Sequence, residues 1–150
     1  MGNDKWRKTK MNLNPDNNIV KLCAQGMDME GKGKFQEAGE FFCRAWEEAA
    51  DDFEKFIAAH YVARHQKSIS DKLKWDKEAL NLALKINDVS VKEAFSSLYL
   101  NIAKCYEDLS DSDNARKNYQ LALSFATLLP DNAYGKMIKS GINYGIKRVN

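Results

Sequence analysis

Residues 33–46 read GKFQEAGEFFCRAW, and residues 110–123 read SDSDNARKNYQLAL. In both stretches a small residue, an aromatic residue and a second small residue recur at the same spacing. The two triplets are Ala38, Phe42, Ala45 and Ala115, Tyr119, Ala122. A third, weaker copy lies around Ala79 and Leu80. Because an internal repeat decides a fold before any single residue does, this pattern predicts stacked helical hairpins.

Apolar spacing and helix-breaking residues predict seven helices and no strands. They are expected at about residues 17–30, 35–50, 53–66, 71–86, 91–109, 113–128 and 132–148. Capping side chains are expected to open these helices at the Asp16–Asn18 cluster, Asp51 or Asp52, Ser70, Ser90 with Glu93, Asp111 or Ser112, and Asp131. Since the intervening loops are short, consecutive helices should pair as antiparallel hairpins.

The repeats are not evenly spaced. Ala45 and Ala79 are 34 residues apart, whereas Ala79 and Ala122 are 43 apart. The first interval is the period of the tetratricopeptide repeat. The loop or helices around residues 84–95 must therefore absorb nine additional residues.

The chain resembles the tetratricopeptide repeat proteins, in particular small stand-alone bacterial ones with three repeats and a capping helix. Repeat one, about 19–52, places Leu22, Gly26, Met29, Phe35, Ala38, Phe42 and Ala45 on the positions characteristic of the family. Repeat three, about 96–129, places Tyr99, Ile102, Ala103, Tyr106, Ala115, Tyr119 and Ala122 there. Repeat two, about 53–86, departs from the pattern. Lys72 and Asp76 stand where small and aromatic residues are expected, and Trp75 supplies the bulk one residue early.

The resemblance implies an all-α fold, a right-handed superhelical stack of antiparallel helix hairpins. One such domain should cover residues 16–150, with a flexible basic tail at residues 1–15. The capping helix, about 132–148, should cover the apolar face of the last hairpin with Tyr134, Met137, Ile138, Ile142 and Ile146.

The composition is that of a folded globular protein, and the cysteine usage favours a cytoplasmic location. Hydrophobic residues make up 44% of the chain, and the net charge of +2 indicates no particular partner. Three cysteines without C-x-x-C spacing indicate neither a disulfide framework nor a zinc site. No apolar run approaches the roughly 20 residues that cross a bilayer, so no membrane association is expected.

The sequence contains no motif for catalysis, a cofactor or a metal. Phosphate-binding and nucleophile-elbow patterns are absent. His60 and His65 are five residues apart on one helix, about 140° around its axis, so they cannot share a metal ion unaided. We therefore expect a protein that is not an enzyme.

In the tetratricopeptide family, the first helix of each hairpin lines a concave groove that binds protein segments. The matching positions here are Met27, Tyr61, Arg64, His65, Leu100, Asn101 and Lys104. An aromatic ring, a guanidinium and an amide suit a peptide, whose backbone and carboxylates need such donors. The structural alternative is that Tyr61 packs between hairpins while Arg64 and His65 pair with nearby acids.

One family activity is excluded by position. The domains that clamp the C-terminal carboxylate of chaperones use Lys, Asn and Arg side chains. The matching positions here are Cys23, Met27, Ala58, Ser97 and Asn101, so the clamp is absent.

Two other functions are kept as alternatives. The first is nucleic-acid binding through the C-terminal helix and residues 1–10, where Trp6 accompanies four basic residues and one acidic residue. This pattern is too sparse to make nucleic acid the expected partner. The second alternative is self-association into a homodimer.

Overall fold

The computed structural model describes residues 13–150, which form two compact units, Leu13–Ile86 and Asn87–Asn150. The first unit contains α1 (Asn18–Gly31), α2 (Phe35–Glu48), α3 (Asp52–Arg64) and α4 (Ile69–Lys85). The second contains the short α5 (Val89–Lys92), α6 (Phe95–Asp108), α7 (Ser112–Ser124), a 3-10 turn (Ala126–Leu128) and α8 (Ala133–Val149). The described residues contain no strand, so the predicted all-α class is confirmed. Most of the basic tail predicted at residues 1–15, including Trp6, lies outside the described residues.

Side-chain caps begin most of the helices, although three of the predicted caps, at Ser70, Ser90 and Asp131, are wrong. Helix α8 is capped by Asn132 and not by Asp131, since Asn132 Oδ1 accepts the Gly135 N–H at 2.9 Å. Asn17, Asp51 and Asp111 accept backbone N–H groups of the first turn, as expected. For α4, however, the Oγ of Ser68, not of Ser70, accepts the Asp71 N–H at 3.0 Å. The helix therefore begins earlier than the sequence predicts.

The region that absorbs the nine additional residues is built around an aspartate. Asp88 Oδ1 accepts the N–H of Ser90 at 2.9 Å and its hydroxyl at 3.0 Å. The predicted capping box at Ser90 is therefore wrong, because the serine donates to the cap and lies inside the turn. The predicted helix at 91–109 is in fact two helices, α5 and α6.

In the first unit the repeated triplet forms the contact between α1 and α2. Ala38, Phe42 and Ala45 are fully buried. A Cβ atom added to Gly26 would lie 2.3 Å from Phe42 Cε1. The absence of a side chain at Gly26 therefore lets the phenylalanine ring lie directly on the α1 backbone.

In the second unit the same triplet meets a glycine of the helix that follows it. Ala115, Tyr119 and Ala122 are fully buried, and a Cβ atom on Gly145 would lie 2.2 Å from Tyr119 Cε1. Helix α8 packs on α6 and α7 through four of the five residues predicted for this role, namely Tyr134, Ile138, Ile142 and Ile146. The fifth, Met137, is 53% exposed, so its assignment to the covering face is wrong.

The turns before the two triplets have the same geometry. Gly33 and Ser110 both have positive φ, 75° and 62°. In each turn the next residue donates its N–H to a carbonyl five positions earlier, Lys34 to Met29 and Asp111 to Tyr106, both at 2.9 Å. These bonds satisfy carbonyls that would otherwise be left unpaired at a helix end.

The irregular second repeat replaces the aromatic residue with a partly buried ion pair. Asp76 is only 3% exposed, and its Oδ2 accepts from Lys72 Nζ at 2.7 Å. Trp75, one residue earlier, packs edge-on against Trp46 with ring centroids 4.9 Å apart. The charges of Lys72 and Asp76, the two residues that depart from the repeat pattern, thus neutralise each other.

Candidate functional site

The first set of predicted site residues converges on one carboxylate. Glu30, on α1, contacts Arg64 Nη2 through Oε1 at 3.0 Å and His65 Nε2 through Oε2 at 2.7 Å. Arg64 also lies over the Tyr61 ring, with its Cζ 5.4 Å from the ring centroid. Met27 is half-buried one helical turn before Glu30. We call Glu30, Phe42, Tyr61, Arg64 and His65 the Glu30 cluster.

The Glu30 cluster is well packed. Tyr61 is only 1% exposed and stacks on Phe42, with ring centroids 5.0 Å apart. The His65 ring lies 5.1 Å from the same phenylalanine. In this arrangement Tyr61 orients Arg64, whose guanidinium is the part of the cluster that a ligand could reach. The assignment of this surface to binding stays a prediction.

The second set lines an open pocket in the Asn87–Asn150 unit. Its volume is about 390 Å³, and Leu100, Asn101 and Lys104 of α6 all face it. The remaining lining residues are Tyr119, Gly141, Tyr144 and Arg148. We call this site the α6–α8 pocket. It brings together all three site residues that the sequence predicts in this unit.

One edge of the pocket is a hydrogen-bonded network around Glu107. The Tyr119 hydroxyl donates to Glu107 Oε1 at 2.6 Å. The Arg148 guanidinium donates to both carboxylate oxygens, at 2.7 and 3.1 Å. Burial, reinforced by the hydrogen bond to Glu107, raises the pKa of Tyr119 to about 12. The hydrogen bond from Arg148 lowers the pKa of Glu107. The arginine is thereby fixed at the pocket rim.

The lowered pKa of Glu107 predicts an acid-sensitive contribution to stability. A group with a depressed folded-state pKa stabilises the fold above its unfolded pKa, here about 4.5, and loses that contribution as pH falls through the folded value. We therefore expect Glu107→Gln to be less stable than the wild type near neutral pH. The gap should narrow progressively below about pH 4.5. Urea unfolding of both proteins at a series of pH values measures this difference in stability. A difference that does not change with pH would contradict the role assigned to Glu107.

The sequence analysis missed the α8 half of the pocket. Gly141, Tyr144 and Arg148 follow one another at steps of three and four, which places them on one helical face. That spacing is the feature of the sequence from which this half of the pocket could have been predicted. The apolar residues of α8 instead suggested only a cover for the preceding hairpin.

The described residues offer no metal site or disulfide. Within residues 13–150, no group of three or more histidine, cysteine, aspartate or glutamate side chains could hold a metal ion. All three cysteines are free, and burial raises the pKa of Cys23 to about 12. None of the helices found between residues 13 and 150 has the length and apolarity needed to span a bilayer.

Comparisons with known proteins establish the class of fold. The chain has a tetratricopeptide-like fold of antiparallel helical hairpins. It is similar to the crystal structure of PcrH in complex with the chaperone binding region of PopD, with a TM-score of 0.67 and 14% identity over 92% of this chain and 94% of that one. PcrH from Pseudomonas aeruginosa is also similar, with a TM-score of 0.62 and 16% identity over 92% and 95%. No protein-family model and no curated protein matches the sequence.

Proposed function

We propose that this chain is a non-enzymatic protein-interaction module that binds a peptide segment of a partner protein, and that it acts in the cytoplasm. The observation that carries the proposal is the α6–α8 pocket, where Leu100, Asn101 and Lys104 line one open cleft. Residues selected by their position on the first helix of a hairpin thus lie together on an accessible surface. The crystal structure of PcrH with the chaperone binding region of PopD gives an example of this type of fold with a bound protein segment.

The chemistry of the pocket suits an extended chain. Asn101 offers both a donor and an acceptor to a peptide backbone, and Lys104 offers a charge, while Leu100 and Tyr144 supply apolar surface. A volume of about 390 Å³ is at the lower end of the range for ligand sites. It is large enough for one or two side chains of a segment, whereas a folded domain would need a much larger surface.

The proposal is tested with a double variant, Lys104→Glu with Tyr144→Ala. The full chain, immobilised, is used to capture partners from the lysate of its source organism, and overlapping synthetic peptides of each captured protein are then assayed for binding. We expect one or more peptides to bind, with affinity reduced about tenfold or more in the double variant, because truncating a central aromatic contact costs about 2 kcal/mol.

The matched control is Lys117→Glu, which reverses an exposed charge on α7 outside the pocket lining. It should bind as the wild type does. Captured proteins of which no peptide binds, or peptides indifferent to the double variant, would contradict the proposal. Light scattering at the concentration of the assay gives the mass in solution. A mass twice the 17.1 kDa of one chain, lost in the double variant, would instead identify the surface as a homodimer interface.

A further inference from the structure

We infer that the α6–α8 pocket recognises a peptide segment in which a large apolar side chain is flanked by acidic residues. The inference rests on the proposed function and specifies its ligand. It is drawn from three features of the second unit: the apolar lining of the pocket, the cations around it, and the carboxylates that already pair with two of them.

The apolar part of the pocket is formed by Leu100, Gly141 and Tyr144. Tyr144 is 62% exposed, so its ring is accessible to a ligand. A Cβ atom on Gly141 would lie 3.2 Å from Leu100 Cδ2. A side chain at position 141 would therefore press on Leu100 in the pocket lining. An aliphatic or aromatic side chain of a ligand could enter the pocket and contact the tyrosine ring.

Three cations lie beside that apolar surface. Lys104 and Arg148 line the pocket, and Lys147 Nζ lies 5.7 Å from the centroid of the Tyr144 ring. Helix α8 as a whole carries four basic residues and no acidic residue. A ligand that places its apolar side chain on Tyr144 therefore brings its neighbouring residues close to positive charge, which favours aspartate or glutamate at those positions.

The carboxylates that pair with two of these cations argue for a peptide and against a nucleic acid. Glu107 pairs with Arg148, and Asp108 pairs with Lys104. Two of the three cations are thus already balanced, so the local excess of positive charge is small. A phosphate backbone, with a charge on every nucleotide, would meet both carboxylates and gain few ion pairs. One or two ligand carboxylates beside an apolar anchor match the arrangement better.

The test is selection from a phage-displayed library of random peptides on the immobilised full chain. We expect the enriched peptides to share a Leu, Met, Phe or Trp next to at least one Asp or Glu. Synthetic versions should bind Lys104→Glu and Lys147→Glu at least about fivefold more weakly than the wild type, and Lys117→Glu equally well. Enriched peptides without acidic residues, or with unchanged affinity for the first two variants, would overturn the inference while the proposed function stands. If no peptide is enriched, the proposed function fails and the inference fails with it.

A second variant separates binding from folding. Gly141→Ala places a methyl group against Leu100 while improving helix propensity. This variant should keep or raise the melting temperature and yet weaken the binding of the selected peptides at least about fivefold. An unchanged affinity would show that the peptides bind elsewhere. Displacement of a bound peptide by oligo-dT at physiological salt would favour the nucleic-acid alternative and overturn the assignment to peptides.

Discussion

Replacing Phe42 with alanine is expected to lower the free energy of unfolding by about 3–5 kcal/mol, the range for deleting a buried aromatic side chain. Phe42 is fully buried. Its ring lies on the backbone at Gly26 and contacts the rings of Tyr61 and His65. The loss of stability should be large because Phe42 packs against two neighbouring helices and against the other residues of the Glu30 cluster. These groups cannot all move in to fill the cavity.

Phe35→Ala is the matched control for Phe42→Ala. Phe35 belongs to the same helix and the same repeat, but it is 62% exposed. Its replacement should change stability by no more than about 0.5 kcal/mol. Urea unfolding followed by far-ultraviolet circular dichroism compares the two variants. Equal losses would mean that burial of the motif aromatic is not what stabilises the hairpin.

The second large effect is expected for Gly145→Ala, which should destabilise the protein by about 1–3 kcal/mol, or more, through overpacking. The added Cβ would lie 2.2 Å from Tyr119 Cε1. The tyrosine has little freedom to move aside, because its ring is buried and its hydroxyl is held by Glu107 and Arg148. Helix α8 must therefore separate from α7, at the expense of the contacts that cover the last hairpin.

Gly141→Ala in the same helix is the control, because it makes the same gain in helix propensity, about 1 kcal/mol. Its Cβ meets only the end of the Leu100 side chain. Thermal unfolding should therefore give opposite signs for the two substitutions. Combining Gly145→Ala with Tyr119→Leu should recover part of the loss, since the two residues are in contact and their effects are not additive. Strictly additive losses would contradict a direct clash.

The fold was largely predictable from the sequence because its signals are local. Small residues such as Ala38 and Ala115 allow a neighbouring helix to approach closely, and such residues are then buried. The structure shows that both are buried. Helix starts were less predictable. Ser68 and Ser70 are both acceptable caps, and which of them accepts the first N–H depends on the backbone conformation of the preceding turn.

The candidate site was predictable only in part. Leu100, Asn101 and Lys104, selected by their position on the first helix of a hairpin, line one pocket, and their role in binding stays a prediction. Position on the helix could not show that Tyr61 is almost fully buried, because that depends on Phe42, a residue 19 positions away in the sequence. Nor could it show Tyr144 beside the pocket. The residues on one face of a helix follow from periodicity, whereas the partners of that face follow from tertiary packing.

The short turns at Gly33 and Ser110 bear on how the protein reaches its structure. They join helices that pack mainly on their nearest neighbours along the chain, α1 on α2 and α6 on α7. A chain whose contacts are mostly local has a low contact order, and it loses little loop-closure entropy before each contact forms. Each hairpin can therefore assemble early, from its own residues. Helical proteins of low contact order fold within about microseconds to milliseconds, so we expect the apolar face of α7 to be exposed only briefly before α8 covers it.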